Sequence, residues 1–298
     1  MGYKYFICDV FTKERFTGNQ LAVVPEASGL SSKQMQAIAH EFNFSETVFI
    51  MPPENFKTRK LKIYTPTVEV PFAGHPNIGA AFILAKAGYL GNIKPPVQLT
   101  FEEKAGEVDV EIKTDSDGAI YCEVAAPQPL SISNTINTNL IASVLTIDNS
   151  EIVTTTHEPV VASVGLPFIF VEIASSNSLS NAQIDISALR TLLTYESTSY
   201  IHVYTKDVED FDLRARMFAP LDGVIEDPAT GSASCALASL LGHINPVPQL
   251  DTKFLISQGT EIGRPSIIKA RVIKRNGQVK NSFVGGNSVL ISEGIISI

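Results

Sequence analysis

An internal echo limits this chain's fold more than any other feature of its sequence. An offset of 154 residues carries Ser31, an N-cap with Gln34 three residues on, onto Asp185. Met35, Ile38 and Ala39 then fall on Leu189, Leu192 and Leu193, so both copies read as capped helices with apolar residues at helical spacing. The same register lays Ser45 on Ser199, a strand at 47–50 on one at 201–204, Ile63-Tyr64-Thr65-Pro66 on Met217-Phe218-Ala219-Pro220, and Gly88 on Gly242. Cap, helix face, strands, proline and glycine in one gapless register imply duplication, so each copy must bury a core of its own.

The last shared element is a helix of small residues, expected at 77–87 and again at 231–241. Neither segment has a polar face, which places each helix inside a core with neighbours on all sides. Around them, residues 21–24, 97–101, 108–112, 120–124, 168–173, 254–256 and 267–273 have the alternation or β-branching of strands. The expected fold is α+β: two pseudo-symmetric halves, each a curved β-sheet or barrel wrapped around a central buried helix. Pro127-Gln128-Pro129 is the natural hinge, giving halves at 1–126 and 127–298, with the last strand free to pack back on the first half.

Composition removes several classes of function. The chain is 44% hydrophobic and 18% charged, which suits packed cores and excludes disorder. A net charge of −8 and no basic run argue against nucleic acid as a partner. The longest apolar stretches, 79–85 and 160–173, are shorter than the ~20 residues of a membrane crossing, and no secretory signal is visible, so the expected address is cytoplasmic. Cys8, Cys122 and Cys235 offer no disulfide framework or CxxC knuckle, and the five histidines lack a helix-borne ligand spacing; no metal is expected.

Where the copies match in scaffold they differ in chemistry. Glu46 pairs with Tyr200, His75 with Ala229, Asp227 with Ala73 and Ser232 with Ile78, so each polar group occurs once, as a single asymmetric site between two halves requires. Both buried-helix entrances, Ala73-Gly74-His75-Pro76-Asn77 and Asp227-Pro228-Ala229-Thr230-Gly231-Ser232, bring proline and glycine to a first turn whose N–H groups favour an anion. The dipole contributes about 0.3–1 kcal/mol at an exposed end and up to ~2 when partly buried, so two such ends could hold a carboxylate without arginine. Each loop alone reads equally well as an ordinary helix start.

These residues carry a resemblance. Asp9-Val10-Phe11, Phe16-Thr17-Gly18-Asn19, Phe44-Ser45-Glu46-Thr47, Phe72-Ala73-Gly74-His75-Pro76, Glu226-Asp227-Pro228-Ala229-Thr230-Gly231-Ser232 and Gln258-Gly259 with Gly263-Arg264-Pro265-Ser266 resemble, in order, the motifs of the PhzF-like phenazine biosynthesis family. The resemblance runs from Asp9 to Gly285-Gly286. It implies a diaminopimelate epimerase-like fold with the site between the halves, a homodimer, and an isomerase that needs neither metal nor organic cofactor. By the same resemblance Glu46 is the proton-shuttling carboxylate, with His75, Asp227 and Ser232 its active-site partners. Gly74, Asn19, Gly231 and Thr230 are assigned to substrate binding. The related two-cysteine racemases are disfavoured, since Gly74-His75 and Thr230-Gly231 stand where their thiols would be.

The residues themselves agree with that chemistry. Moving a proton between carbons needs one base that takes and returns it, and Glu46 lies between Phe44 and Val48-Phe49-Ile50, where desolvation raises a carboxyl pKa. His75 reads as a substrate hydrogen-bonding group, Asp227 as an N-cap or as the partner of a substrate hydroxyl or amino group, and Ser232 as a donor to a bound carboxylate, because no GxSxG elbow surrounds it. The expected ligand is a small carboxylate-bearing cyclic or amino-acid-derived compound. The alternative is a member of the same fold that binds metabolites or proteins with little turnover.

Overall fold

The computed structural model describes residues 2–55 and 57–298. The chain divides into two compact units, one comprising the chain through Pro127 together with Phe283–Ile298, the other Gln128–Ser282. The last segment, 283–298, thus lies with the first unit, for a reason visible in the strand pairings.

The first unit contains β1 (Gly2–Val10), β2 (Asn19–Val24), α1 (Ser32–Phe42), β3 (Glu46–Met51), β4 (Arg59–Tyr64), β5 (Glu69–Val70), α2 (Gly74–Lys86), β6 (Val97–Glu103), β7 (Gly106–Thr114) and β8 (Ile120–Ala125). The second contains β9 (Ser131–Thr135), α3 (Thr138–Leu145), β10 (Ile152–Val153), β11 (Val160–Ser163), β12 (Pro167–Ile173), α4 (Ser176–Asn181), α5 (Ile186–Leu192), β13 (Ile201–Thr205), β14 (Leu213–Ala219), β15 (Val224–Asp227), α6 (Gly231–Ile244), β16 (Leu250–Gln258) and β17 (Ser266–Arg275). β18 (Gln278–Ser297) then leads back into the first unit.

There β18 pairs antiparallel with β8 through Phe283–Asn287 and with β1 from Ser288 to Ser297. With β1–β2, β2–β3, β3–β4, β4–β6, β6–β7 and β7–β8 also paired, the ring is closed and no strand edge of the barrel is left unpaired. α2 lies against β1, β2, β3, β7 and β8. Its Ile78, Ile83 and Leu84 are fully buried, each contributing about 1.5–3 kcal/mol relative to exposure, so its place along the barrel is firmly set.

The second unit contains some of the same kinds of pairing. β12 and β13 run parallel as β2 and β3 do, β14 is antiparallel to β13 and β15, and β16 runs parallel to β14 as β6 does to β4. α6 packs on β11, β12, β16 and β17.

The buried helices differ from expectation at their ends. α2 begins at Gly74 rather than residue 77, because Pro76 is its third residue and the first-turn N–H groups have no intrahelical acceptor to lose. α6 runs to Ile244, beyond the expected 241. Gly88 follows α2 at φ +81°, a left-handed end, whereas Gly242 lies inside α6, where an added Cβ would sit 2.9 Å from both Val272 methyls. The two glycines share a register but serve a turn in one copy and close packing in the other.

Candidate active-site residues

In the first unit three elements begin at one end of the barrel. β2 and β3 are parallel with Leu21 opposite Glu46, so Asn19 opens one strand and Glu46 the other, and His75 lies in the first turn of α2. His75 Nδ1 is 3.4 Å from Asn19 Nδ2 and 3.5 Å from Glu46 Oε2. The Glu46 side chain is 19% exposed and that of His75 4%. Glu46 Oε2 itself is buried.

Burial pushes the His75 pKa down to about 3, against the opposing effect of a backbone hydrogen bond with Gln20. The ring is therefore neutral near neutral pH, and its approach to Glu46 is a contact between a carboxyl and a neutral imidazole, not an ion pair. At 3.5 Å it is a long contact of the kind that tightens when substrate arrives. Gly74 is buried at the start of α2; its N-cap, Ala73, makes no side-chain cap bond and the first turn holds no acid. Asn77 Nδ2 donates to the Ala73 carbonyl at 2.9 Å, holding the turn from within.

In the second unit Asp227 closes β15 and Thr230 is the N-cap of α6. Asp227, Thr230 and Ser232 are 6%, 7% and 9% exposed. Thr230 does not cap its helix: its hydroxyl donates to Asp227 Oδ2 at 2.6 Å. The first turn of α6, with Gly231 and Ser232, thus has no side-chain cap and no acidic residue, a setting that favours an anion. Glu226, next to Asp227, makes a two-pronged bond with Arg216 at 2.9 and 2.7 Å, and Arg216 Nη1 also donates to the carbonyls of Leu179, Ser180 and Ala182.

The sequence-expected residues therefore gather as two sets, Asn19, Glu46, Gly74 and His75 in one unit and Asp227, Thr230, Gly231 and Ser232 in the other. All three cysteines are buried, and burial raises the Cys8 and Cys122 thiols far above their ordinary value.

Sequence reasoning gave Gln258 no role, although the structure ties it to both Asp227 and Thr230. The only available signal was its place beside a glycine in an ordered motif. Arg216 and Glu226 were also missed; a charged pair alternating with apolar residues on two strands reads as solvent-facing until the strands are paired.

The sequence profile of the family described as phenazine biosynthesis-like protein matches residues 8–294. An uncharacterized isomerase of Mesorhizobium japonicum is 34% identical over 304 residues, covering 99% of this chain and 98% of the relative. The trans-2,3-dihydro-3-hydroxyanthranilate isomerase of Pseudomonas chlororaphis is 31% identical over 294 residues, with 99% of each chain covered. The crystal structure of a PhzF-family phenazine biosynthesis protein of Bacillus anthracis superposes with a TM-score of 0.90 at 21% identity over 100% of both chains, showing the same fold. With its match across nearly the whole sequence, this chain is an isomerase belonging to the phenazine biosynthesis-like family.

Proposed function

We propose that this isomerase moves a proton between carbon atoms of a small, carboxylate-bearing cyclic or amino-acid-derived metabolite, using only its own side chains and backbone. Glu46 takes the proton from one carbon and returns it to another. His75, held neutral, hydrogen-bonds the substrate and stays in reach of the Glu46 carboxyl. Asp227 orients a hydroxyl or amino group, and Ser232 donates to the carboxylate with the first-turn N–H groups beside it. Gly74, Gly231, Thr230 and Asn19 contribute to binding.

The observation that carries this reading is the buried Glu46 Oε2, 3.5 Å from a neutral imidazole in the first turn of α2. A carboxylate so placed has lost part of its hydration, which suits a base that must hold a proton and give it back. The relative that isomerises trans-2,3-dihydro-3-hydroxyanthranilate supports a cyclic amino acid as the substrate type.

The test is proton exchange. The protein is incubated in D₂O with trans-2,3-dihydro-3-hydroxyanthranilate and a panel of cyclic amino acids, and NMR follows deuterium entering carbon positions, in wild type and Glu46→Gln. Exchange that is lost in the variant supports the shuttle. Binding across the panel without exchange would instead favour a metabolite-binding protein of the same fold.

A further inference from the structure

The stretch that runs from Gln258 to Ser266 takes no part in the proposed proton transfer, yet it grips the loop that carries Asp227. Gln258 is fully buried. Its Oε1 accepts from the Thr230 N–H at 3.1 Å, and its Nε2 donates to the Asp227 carbonyl at 2.8 Å and to Thr230 Oγ1 at 3.0 Å. Gly259 sits at φ +79°, and a Cβ there would lie 2.5 Å from the carbonyl oxygens of both Pro228 and Arg264. Ser266 Oγ is 3.1 Å from the Pro228 carbonyl.

The Gln258 amide can face only one way. A backbone N–H can only donate and a backbone carbonyl can only accept, so Thr230 N–H fixes the oxygen and the Asp227 carbonyl fixes the nitrogen. Nε2 then meets Thr230 Oγ1 as a donor. The hydroxyl must point its own hydrogen elsewhere, and Asp227 Oδ2 receives it at 2.6 Å. Hydrogen-bond direction thus passes from backbone to Gln258, to Thr230, to the Asp227 carboxylate.

We propose that Gln258 is a positioning residue of this isomerase, which sets the direction of the Thr230 hydroxyl and through it the placement of the Asp227 carboxylate. The proposal rests on the reading of Asp227 as an active-site group. It predicts that a near-isosteric change removing only the donor end is harmful although nothing is lost in size.

Gln258→Glu keeps an acceptor for Thr230 N–H and loses both donor bonds, so the Thr230 hydroxyl turns toward the new carboxylate and away from Asp227. Thr230→Val breaks the same relay from the other side without touching Gln258, and Thr230→Ser keeps it. With trans-2,3-dihydro-3-hydroxyanthranilate as probe, Gln258→Glu and Thr230→Val should each lower kcat/KM about tenfold or more, the double variant should lose little beyond either single one, and Thr230→Ser should stay within a few-fold of wild type. Losses that multiply in the double variant, or a fully active Gln258→Glu, would overturn the proposal.

A second readout does not need turnover. The Thr230 hydroxyl proton should give an exchange-protected, downfield proton NMR signal in wild type, absent from Thr230→Val and moved to a different chemical shift in Gln258→Glu, where its acceptor is the new carboxylate. Should wild type turn over none of the candidate substrates, the proposed reaction fails while this signal still judges Gln258; its absence from wild type, or an unchanged chemical shift in Gln258→Glu, overturns the relay.

Discussion

His75 Nδ1 and Glu46 Oε2 lie 3.5 Å apart, and the imidazole in that pair is neutral because it is buried. On the proposed reading, a neutral ring beside a carboxyl leaves the mobile proton to the glutamate. Glu46→Gln should therefore lower isomerisation by about 10²–10⁴-fold, the span supplied by a general acid–base group, while the protein unfolds at an unchanged urea midpoint. His75 should not titrate near neutrality: its ring proton resonance should stay constant from pH 8 down to about 4, moving only as pH approaches about 3.

Ser232 is the second residue of α6, in a first turn without a side-chain cap. Ser232→Ala removes one hydrogen-bond donor there and leaves the helix intact. With a carboxylate substrate KM should rise roughly tenfold, in line with about 1.5 kcal/mol for a bond to a charged group, and thermal stability should change little. A fall in kcat at constant KM would place the serine in the chemical step instead of in binding.

Arg216 and Glu226 form the buried ion pair at the foot of the Asp227 loop, with side chains 8% and 6% exposed. Arg216→Met leaves the Glu226 carboxylate buried without its cation and removes the donor to three carbonyls, so unfolding free energy should fall by about 3–5 kcal/mol. Replacing both partners, Arg216→Met with Glu226→Leu, should recover part of that loss in urea titrations.

Stability should pass through a maximum in pH. His75 and His202 are both pushed by burial from 6.5 to about 3, so the unfolded chain binds protons that the folded one refuses, and stability is lost as pH falls from about 6.5 toward 3. Glu103 moves the other way, raised by burial from 4.5 to about 8. The folded protein keeps that proton while the unfolded chain releases it, so stability falls as pH rises from about 4.5 to 8. Each group contributes a slope of about 1.4 kcal/mol per pH unit inside its window. The histidines outweigh the glutamate below 6.5, which puts the maximum near there. Glu103→Gln should flatten the alkaline side and His202→Leu should weaken the acid side, as read by unfolding at a series of pH values.

Much of this was legible in the sequence where local signals and burial agreed. Ser31 and Gln34 form the expected capping box, Asp185 caps α5, and the apolar faces of both helices are buried. Glu46, Asn19 and His75 were found by motif, and their meeting required the parallel pairing of β2 with β3 and the seating of α2 against both. What the sequence hid was long-range. The run Asp207, Glu209, Asp210 and Asp212 is the exposed turn its composition suggests, but no local pattern announces that within it Asp207 accepts from Ser176 N–H and Asp212 from Leu255 N–H at 2.9 and 2.7 Å. Gln258 is similarly mute until its strand brings it to Thr230, since one amide has no pattern of its own. Strands whose partners lie far along the chain, β1 and β18 above all, depend on closure of the ring more than on their own composition.

That closure has a consequence for how the molecule comes into being. β18 is the stave that fills the gap between β8 and β1, and its part from Phe283 onward is translated after the whole of the second unit. During synthesis the first unit emerges early with two raw strand edges and stays unfinished until residues 283–298 follow. The nascent N-terminal portion is thus the stretch exposed to misassociation, and an early stop codon before residue 283 would damage the earliest-made unit, not the latest.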